Sequence, residues 1–299
     1  MAPQVSGRMP TGISSLDPVL DGGVPPGSVV LLEGEVGAGS QEFVYSSLIY
    51  LSILKQRQDA GPNARVPDTI SYITFTRMKQ DILNEIGLSF APNLVQGVNG
   101  TLNFTDLSTH YFDSSVVPSE WYCTDGSEDC EKKKNASPEK RFTELSSHIP
   151  AGRKNTLLKL LYLTLSMANP KKGKEGSSLV VLDSLTDIAT QSTDPERWKE
   201  LTAFLRGLQR VTKKWNSTVY ILLTHGVLEA SREKEIADCV DAVVLFKWEE
   251  TVAQRRQRTM FFEKFRGVMP HLEERELVKF AVKITPGNGF EVSNIRVVV

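Results

Sequence analysis

Short runs of apolar, often β-branched residues recur along the chain and are separated by longer stretches in which apolar and polar residues mix. Such runs, bounded by turn residues, are typical of β-strands, and strands that are apolar throughout are typical of a parallel sheet covered on both faces. The pattern therefore predicts an α/β fold with a mostly parallel central sheet flanked by helices. The predicted strands are Val29–Leu32, Ile70–Phe75, Leu179–Leu182, Val219–Leu223, Val243–Phe246 and Met260–Phe265.

Helices are predicted in the stretches that separate most of these strands. Gln41–Gln58 follows the first strand, and Asn155–Met167 precedes the third. Pro195–Trp215 lies between the third and fourth strands and has proline near its start, where a missing N–H leaves no helical hydrogen bond unmade. Asp194 is the predicted N-cap of this helix, because its short acidic side chain can accept from the free N–H groups of the first turn.

The C-terminal part of the chain has a different pattern. Leu277–Ile284 and Phe290–Val299 are separated by the turn Pro286-Gly287-Asn288-Gly289, which is typical of an antiparallel hairpin. We therefore expect one domain over residues 1–299 that ends in an antiparallel hairpin.

One long segment, at about residues 88–150, interrupts the alternation. It is rich in Gly, Ser, Asn, Pro and charged residues, and only Thr101–Leu107 is predicted as a strand. Two interpretations stay open: a long, partly mobile surface insertion, or a lid or partner-binding segment. Its aromatic residues need packing partners, so we expect part of the segment to be ordered. These residues are Tyr111, Phe112, Trp121 and Tyr122.

Composition and charge narrow the function classes. The 35 Lys and Arg residues nearly balance the 36 Asp and Glu residues, so net charge gives no argument for nucleic acid or an anionic membrane. No apolar run is long enough to span a bilayer, and the N-terminal segment lacks the apolar region of a secretory signal. Three cysteines suit a reducing compartment. We expect a cytoplasmic protein that does not contact membranes.

Three basic clusters are present, at Lys171–Lys174, Lys213-Lys214 and Arg255–Arg258. They are scattered and offset by nearby Glu residues, which favours solvated loops and helix ends. Contact with DNA is the alternative, although no helix-turn-helix or zinc-finger pattern accompanies them.

The strongest local signal is a glycine-rich turn between a predicted strand and a predicted helix, Gly34-Glu35-Val36-Gly37-Ala38-Gly39-Ser40-Gln41. Gly34 and Gly39 have the spacing of the phosphate-binding G-x-x-x-x-G-K-[ST] motif, in which backbone N–H groups converge on an anion. Ser40, however, stands at the lysine position, and Gln41 at the Ser/Thr position that holds Mg²⁺. On these residues alone, a tight strand-to-helix turn is an equal interpretation.

Three further segments add context. Thr11–Asp17 and Leu20–Ser28 precede the turn, the strand in Ser178–Thr186 ends in Asp183, and Phe262-Glu263-Lys264-Phe265-Arg266-Gly267 lies near the C-terminus. With these segments the chain resembles the RecA superfamily and, within it, the KaiC- and RadA-like ATPases of archaea. That family has a T-G-[IV]-x-x-L-D segment before the phosphate loop, a strand ending in D-S-L, and a late K-x-R-G strand.

The chain also resembles a divergent archaeal subgroup of HTR-like proteins, which likewise has a degenerate loop without the lysine. The similar segments are Gly34–Gly39 with Glu42-Phe43, Phe104–Ser108 and Val117–Tyr122. The resemblance implies a RecA-like P-loop fold over nearly the whole chain, in which the turn contacts nucleotide and Asp183 is the Walker B residue and a possible Mg²⁺ ligand. The loop residues implied as nucleotide contacts are Gly34, Gly37, Ala38, Gly39, Ser40 and Gln41.

The resemblance also shows which catalytic groups have changed. In the family, a pair of carboxylates follows the strand after the first helix and activates the attacking water, whereas this chain has Thr76-Arg77 there. With Ser40 and Gln41, three catalytic parts differ, so we expect hydrolysis to be very weak or absent and ATP and Mg²⁺ to bind weakly if at all. Arg77 or Lys79 is the alternative source of the missing positive charge.

The family resemblance implies roles for three more residues. Lys264 and Arg266, two apart on a predicted strand, occupy positions that reach a neighbouring subunit's phosphates in KaiC-like assemblies; exposed, ordinary charges are the alternative. His225 follows a predicted strand where relatives place a polar sensor, and a plain exposed histidine is equally compatible with the sequence.

These observations lead to one hypothesis and two alternatives. The chain is expected to be a KaiC-like nucleotide-binding or pseudo-ATPase module of regulation or signal transduction, acting through protein partners or self-association. The alternatives are an active ATPase with substituted catalytic residues and a RadA-like recombination mediator that binds single-stranded DNA.

Overall fold

A nine-stranded sheet is the centre of the fold. The computed structural model describes residues 7–57, 64–112, 115–122, 161, 165, 177–250 and 255–294. Its strands are β1 (Val29–Gly34), β2 (Thr69–Thr74), β3 (Leu102–Asp106), β4 (Ser178–Asp183), β5 (Ser217–Thr224), β6 (Ala242–Glu250), β7 (Arg256–Phe265), β8 (Lys279–Thr285) and β9 (Gly289–Asn294). They are ordered β3-β2-β4-β5-β1-β6-β7-β8-β9 across the sheet.

The sheet has a parallel part and an antiparallel part. Strands β3, β2, β4, β5, β1 and β6 run parallel, and β7, β8 and β9 continue the sheet in antiparallel pairs. The carboxyl ends of β1, β4 and β5 therefore lie side by side. Ligands of open α/β sheets bind beyond these ends, so this edge is where a site is expected.

Helices cover both faces of the sheet. They are α1 (Ser40–Arg57), α2 (Lys79–Ser89), α3 (Pro92–Val95), α4 (Val98–Thr101), α5 (Ser108–Phe112), α6 (Ser119–Tyr122), α7 (Leu185–Gln191), α8 (Pro195–Trp215), α9 (Ala230–Asp238) and α10 (Met269–Glu274) within the described residues. None of them is long and apolar enough to cross a bilayer.

The alternation of side chains along β1 separates two cores. Val30 and Leu32 lie in the core that contains Phe43 of α1, whereas Val29 and Leu31 lie in the core that contains Leu205 of α8. Both sets are buried, so β1 is apolar on both faces, as expected for the middle of a parallel sheet. A polar side chain near the end of β1 or β4 therefore belongs to one face or the other according to its position along the strand.

The predicted α/β architecture is confirmed. All six predicted strands form: five lie within slightly longer elements, and β2 begins and ends one residue earlier than the predicted Ile70–Phe75. The C-terminal hairpin is β8 and β9. Helix α8 has the predicted bounds, and the carboxylate of Asp194 accepts from the backbone N–H of Arg197 at 3.0 Å. Most of the predicted helix Asn155–Met167 lies outside the described residues, although Leu161 and Leu165 are helical and buried.

The described part of the 88–150 segment is ordered and contains the predicted strand as β3, paired with β2. Phe112 packs on Tyr111 and Tyr122, with ring centroids 4.9 and 5.4 Å apart. The expectation that every aromatic side chain packs is wrong for Trp121, which is 74% exposed. Residues 123–150, with Cys123 and Cys130, lie outside the described chain, whereas Cys239 is a buried free thiol.

Candidate functional site

The glycine-rich turn connects β1 to α1 at the carboxyl edge of the sheet. Gly37 and Gly39 have φ values of 73° and 114°, which an L-residue with a side chain rarely adopts. At Gly34 space is the constraint, because a Cβ atom there would lie 2.5 Å from the hydroxyl of Ser40. The backbone N–H of Ala38 donates to the Glu35 carbonyl at 2.9 Å, which closes the turn. This stretch has the shape of a phosphate loop that leads into a long helix.

Strands β6 and β7 hold the turn from the other side. The carboxylate of Glu35 accepts from the backbone N–H of Trp248 at 3.0 Å, and the Trp248 indole N–H donates to the Val36 carbonyl at 3.2 Å. Arg258 donates through Nε to the Gly37 carbonyl at 2.9 Å. Its guanidinium lies over the Trp248 ring at 4.6 Å from the ring centre, and that of Arg256 lies at 4.5 Å. A pair of arginines thus stands beside the turn.

This arrangement corrects the interpretation of the basic cluster at residues 255–258 as solvated loop or helix end. Residues 256–258 belong to β7, and Arg258 is half-buried against the turn. The pairing of Arg258 with Trp248 across β6 and β7 brings them together. This pairing was not predicted from the sequence. The signal that could have indicated it is a tryptophan in one segment followed by two arginines, two residues apart, in the next.

Asp183, the residue that the family resemblance assigns as Walker B, ends β4 on the face that α1 covers. Its side chain is 9% exposed, and its Oδ2 atom accepts from the Tyr72 hydroxyl at 2.5 Å. Gln41 of α1 donates through Nε2 to the Tyr72 oxygen at 3.0 Å and to Asp183 Oδ2 at 3.5 Å. Gln41 therefore contacts the carboxylate directly through its side-chain amide group.

Arg77 completes the environment of Asp183. Its guanidinium lies 3.7 Å from Asp183 Oδ2, donates to the Tyr45 hydroxyl at 3.0 Å and makes a close ion pair with Glu85. Arg77 thus places a positive charge beside the buried carboxylate of Asp183. Lys79, the other suggested source of charge, lies over the Phe104 ring at 5.4 Å instead.

Burial dominates the titration of this network. It raises the pKa of Asp183 above its ordinary value, although Tyr72, Arg77 and Gln41 act in the opposite direction. Burial, and then the charge of Asp183, raise the pKa of Tyr72 well above its usual range. Burial would lower the pKa of Arg77, but Tyr45, Glu85 and Asp183 together raise it above its ordinary value.

The donors around Asp183 do not fit Mg²⁺. Magnesium takes oxygen ligands in near-octahedral geometry, whereas Oδ2 of Asp183 faces a hydroxyl, an amide and a guanidinium. The positive charge of Arg77 also repels a divalent cation at this position. We call the set of Tyr72, Gln41, Arg77 and Asp183 the Asp183 network.

The remaining predicted residues lie elsewhere. Lys264 donates to the carbonyls of Ala237 at 2.7 Å and Asp238 at 3.1 Å, and Arg266 donates to the Asp238 carbonyl at 3.4 Å. Within the chain they therefore bind the C-terminal end of α9, a position where cations are favourable. His225 contacts Glu33 and not Asp183, so it is not part of the Asp183 network.

The structure thus brings together one part of the predicted site and separates the rest. The turn, Gln41, Asp183 and Arg77 meet on the α1 face of the sheet edge, whereas His225, Lys264 and Arg266 contact other partners. Four participants were not identified from sequence, and none has a motif of its own. They are Tyr45, Tyr72, Glu85 and Trp248.

The strand order, the phosphate-type turn after β1 and the carboxylate at the end of β4 define an α/β protein with a RecA-like fold. Among solved structures, the chain is similar to the KaiC-like protein from the hyperthermophilic archaeon Pyrococcus horikoshii, with a TM-score of 0.55 and 16% identity over 96% of this chain and 98% of that chain. A family model described as a family of unknown function, DUF7125, matches residues 8–60, which include the turn. No curated protein matches the chain.

Proposed function

We propose that this chain is a KaiC-like protein that does not hydrolyse ATP and that acts as a regulatory module through contacts with other proteins. The observation that carries the proposal is the Asp183 network, in which three protein donors converge on Oδ2 of the Walker B carboxylate. An ATPase of this fold class needs that carboxylate for its metal ion. Here the protein itself supplies the counter-charge, through Arg77.

The loss of the lysine at the turn supports the same proposal. A lysine–phosphate hydrogen bond is worth about 1.5–3 kcal/mol, so Ser40 in its place lowers nucleotide affinity by about 10- to 150-fold. The missing water-activating carboxylate removes a further factor of about 10² to 10⁴ from the rate. These effects do not simply add, but each acts against turnover.

Nucleotide binding is a separate part of the proposal. The turn retains its glycines and its position before α1, and Arg258 places a guanidinium beside Gly37. We therefore expect weak binding of the phosphates of ATP that does not depend on Mg²⁺. Such binding would bias the conformation of the turn and of the β6–β7 hairpin attached to it, and a partner protein could detect that change.

Calorimetric titration with ATP, in EDTA and in Mg²⁺, tests this proposal together with a phosphate-release assay. We expect similar weak affinity in both buffers and no release above background. The matched variant is Ser40→Lys/Gln41→Thr, which restores the lysine and a hydroxyl ligand and removes one donor from Asp183. It should bind ATP more tightly, with an affinity that rises on addition of Mg²⁺.

The specific alternative is an active ATPase in which Arg258 replaces the lysine, and its contact with the turn is the observation that favours it. Under this alternative, wild-type protein releases phosphate only with Mg²⁺, and the isosteric Asp183→Asn variant abolishes the release. That pair of results would refute the proposed loss of hydrolysis. Equal background rates in both proteins would refute the alternative.

Self-association is the simplest partner contact to test. Lys264 and Arg266 lie together at the end of α9, the positions that the family resemblance assigns to a neighbouring subunit's site. Light scattering with and without ATP measures the assembly state, and Arg266→Gln should weaken any assembly that forms through this surface. An assembly that this substitution leaves unchanged would use another surface.

A further inference from the structure

A second cluster of chemically active side chains lies at the same edge of the sheet, on the opposite face from Asp183. Glu33 follows Leu31 along β1 and points to the face covered by α8 and α9. His225 follows the end of β5, and Glu233 extends from α9. One ligand atom from each of these three residues lies within 4.8 Å of the other two. We call these residues the Glu–His–Glu cluster.

The backbone fixes two members of this cluster. The backbone N–H of His225 donates to the Gly34 carbonyl at 2.9 Å, directly after Glu33 in the chain. The backbone N–H of Gly226 donates to Oε1 of Glu233 at 2.7 Å, which leaves Oε2 directed toward the imidazole. The cluster is therefore held by the neighbouring strands β1 and β5 and by the first turn of α9.

The carboxylates of the cluster are buried and have too few donors. The side chains of Glu33 and Glu233 are 5% and 9% exposed. Among the described residues, His225 is the only hydrogen-bond donor to the Glu33 carboxylate, at 2.5 Å. An ionised carboxylate can accept about four hydrogen bonds. Burying an ionised carboxylate with a single hydrogen-bond donor is unfavourable in free energy unless a further positive partner contacts it.

The charge of the cluster leads to the same conclusion. Two carboxylates face one imidazole, so the cluster stays negative even when His225 is protonated. Glu263 adds a further negative charge near Glu33. The Asp183 network, by contrast, contains Arg77. The Glu–His–Glu cluster has no such internal cation among its described contacts.

The geometry suits a cation of a particular kind. Ligand atoms at about 2.0–2.2 Å from a zinc-type ion lie about 3–3.6 Å apart. Nδ1 of His225 is already 3.5 Å from Oε2 of Glu233, and its 2.5 Å contact with Glu33 must open by less than about 1 Å. His225 is 32% exposed, so an ion has access and a fourth position remains open to water. An imidazole with two carboxylates favours transition metals over Mg²⁺ or Ca²⁺.

We propose that Glu33, His225 and Glu233 form a binding site for a divalent transition-metal ion of the zinc type. Because Glu33 directly precedes Gly34, and His225 binds the Gly34 carbonyl, an ion here fixes the point at which β1 enters the glycine-rich turn. The proposal does not depend on the proposed loss of ATP hydrolysis, since the two sites lie on opposite faces of the sheet.

Titration of untagged, EDTA-treated full-length protein with Zn²⁺ tests the site. We expect one ion per chain, little competition from excess Mg²⁺, and a Tm that rises on addition of Zn²⁺. Glu33→Gln and Glu233→Gln keep the side-chain shape but remove a charged ligand, and each should weaken binding by at least about tenfold. Glu229→Gln, at an exposed position just before α9, is the matched control and should bind as the wild type does.

Substitution with Co²⁺ separates this site from the cysteines of the chain. Visible bands of nitrogen and oxygen ligation, without thiolate charge transfer, are expected in the wild type and should disappear in His225→Gln. Circular dichroism confirms that each variant is folded. Absence of Zn²⁺ binding by the wild type, or binding that Glu33→Gln and Glu233→Gln leave unchanged, would overturn the proposal.

Discussion

Replacement of Tyr72 by Phe tests whether the Asp183 network stabilises the fold. Tyr72 is fully buried in β2, and its hydroxyl donates to Asp183 and accepts from Gln41. The substitution removes one oxygen atom and leaves the ring packed on Phe104, with centroids 5.3 Å apart. Asp183 then retains only Gln41 at 3.5 Å and Arg77 at 3.7 Å.

The size of the effect follows from the charge of the acceptor. A hydrogen bond to an ionised group contributes about 1.5–3 kcal/mol, and no water easily replaces the hydroxyl at this buried position. Gln41 is at the limit of hydrogen-bond range and Arg77 makes only an ion pair at 3.7 Å, so these two contacts can recover part of the loss. We therefore expect the free energy of unfolding to fall by about 2 kcal/mol at neutral pH.

The loss should depend on pH with a definite sign. Burial already raises the folded pKa of Asp183 above its ordinary value of 3.8, and Tyr72 opposes this shift. Removal of the hydroxyl raises the folded pKa further and leaves the unfolded pKa unchanged. The full loss is therefore present above the folded pKa of the variant, and it shrinks as the pH falls through the folded pKa values of the variant and the wild type.

Urea unfolding, followed by tryptophan fluorescence at several pH values, measures this difference. Tyr220→Phe is the matched control, because the Tyr220 side chain is equally buried and its hydroxyl lacks a hydrogen bond of good geometry within the described chain. It should change the free energy of unfolding by less than about 1 kcal/mol at every pH. The reasoning is refuted if both variants lose the same amount, or if the loss in Tyr72→Phe does not vary with pH.

Three further predictions concern the turn and one helix. Arg258→Gln should weaken ATP binding by about tenfold in titration calorimetry because its guanidinium contacts the turn, whereas Arg256→Gln, without that contact, should weaken it less. Asp194→Ala should lower the free energy of unfolding by about 1 kcal/mol through loss of the N-cap, and Asp194→Asn should preserve most of it; equal losses would contradict the cap. Gly34→Ala should destabilise the protein by about 1–3 kcal/mol by contact with the Ser40 side chain, and Ser40→Gly in the same chain should recover part of that loss; strictly additive losses would exclude this contact.

The parts of the fold that follow local rules were predictable. The apolar strands, the helix after Asp194 and the glycine-rich turn each depend on residues that are close in sequence. The N-terminal part of β7 was not predicted as strand. Arg256 and Arg258 alternate with polar residues there, and this pattern on a half-exposed strand resembles that of a charged loop. Its pairing with Trp248 depends on the register of two antiparallel strands, and composition does not determine register.

The side chains that form the two clusters were harder to identify from the sequence. Tyr72 lies in an apolar strand, and a tyrosine there is expected to be a core residue. Its contact with Asp183 exists because β2 and β4 are neighbours, 111 residues apart in the chain at this contact. Glu33 and His225 are likewise 192 residues apart and meet because β1 lies beside β5. Strand order, rather than any motif, determines both clusters.

The two clusters at this edge of the sheet differ in how their carboxylates are neutralised. On the α1 face Arg77, three residues after the end of β2, lies 3.7 Å from Asp183 and neutralises its charge. On the other face Glu33 and Glu233 share one half-exposed histidine and no arginine or lysine among their described contacts. A buried carboxylate needs a positive partner. Among the described residues, Asp183 has an arginine as that partner, whereas Glu33 and Glu233 have only the shared histidine. This difference is the basis of the two proposals, that ATP hydrolysis is lost on the face where Arg77 neutralises Asp183, and that a transition-metal ion binds on the opposite face.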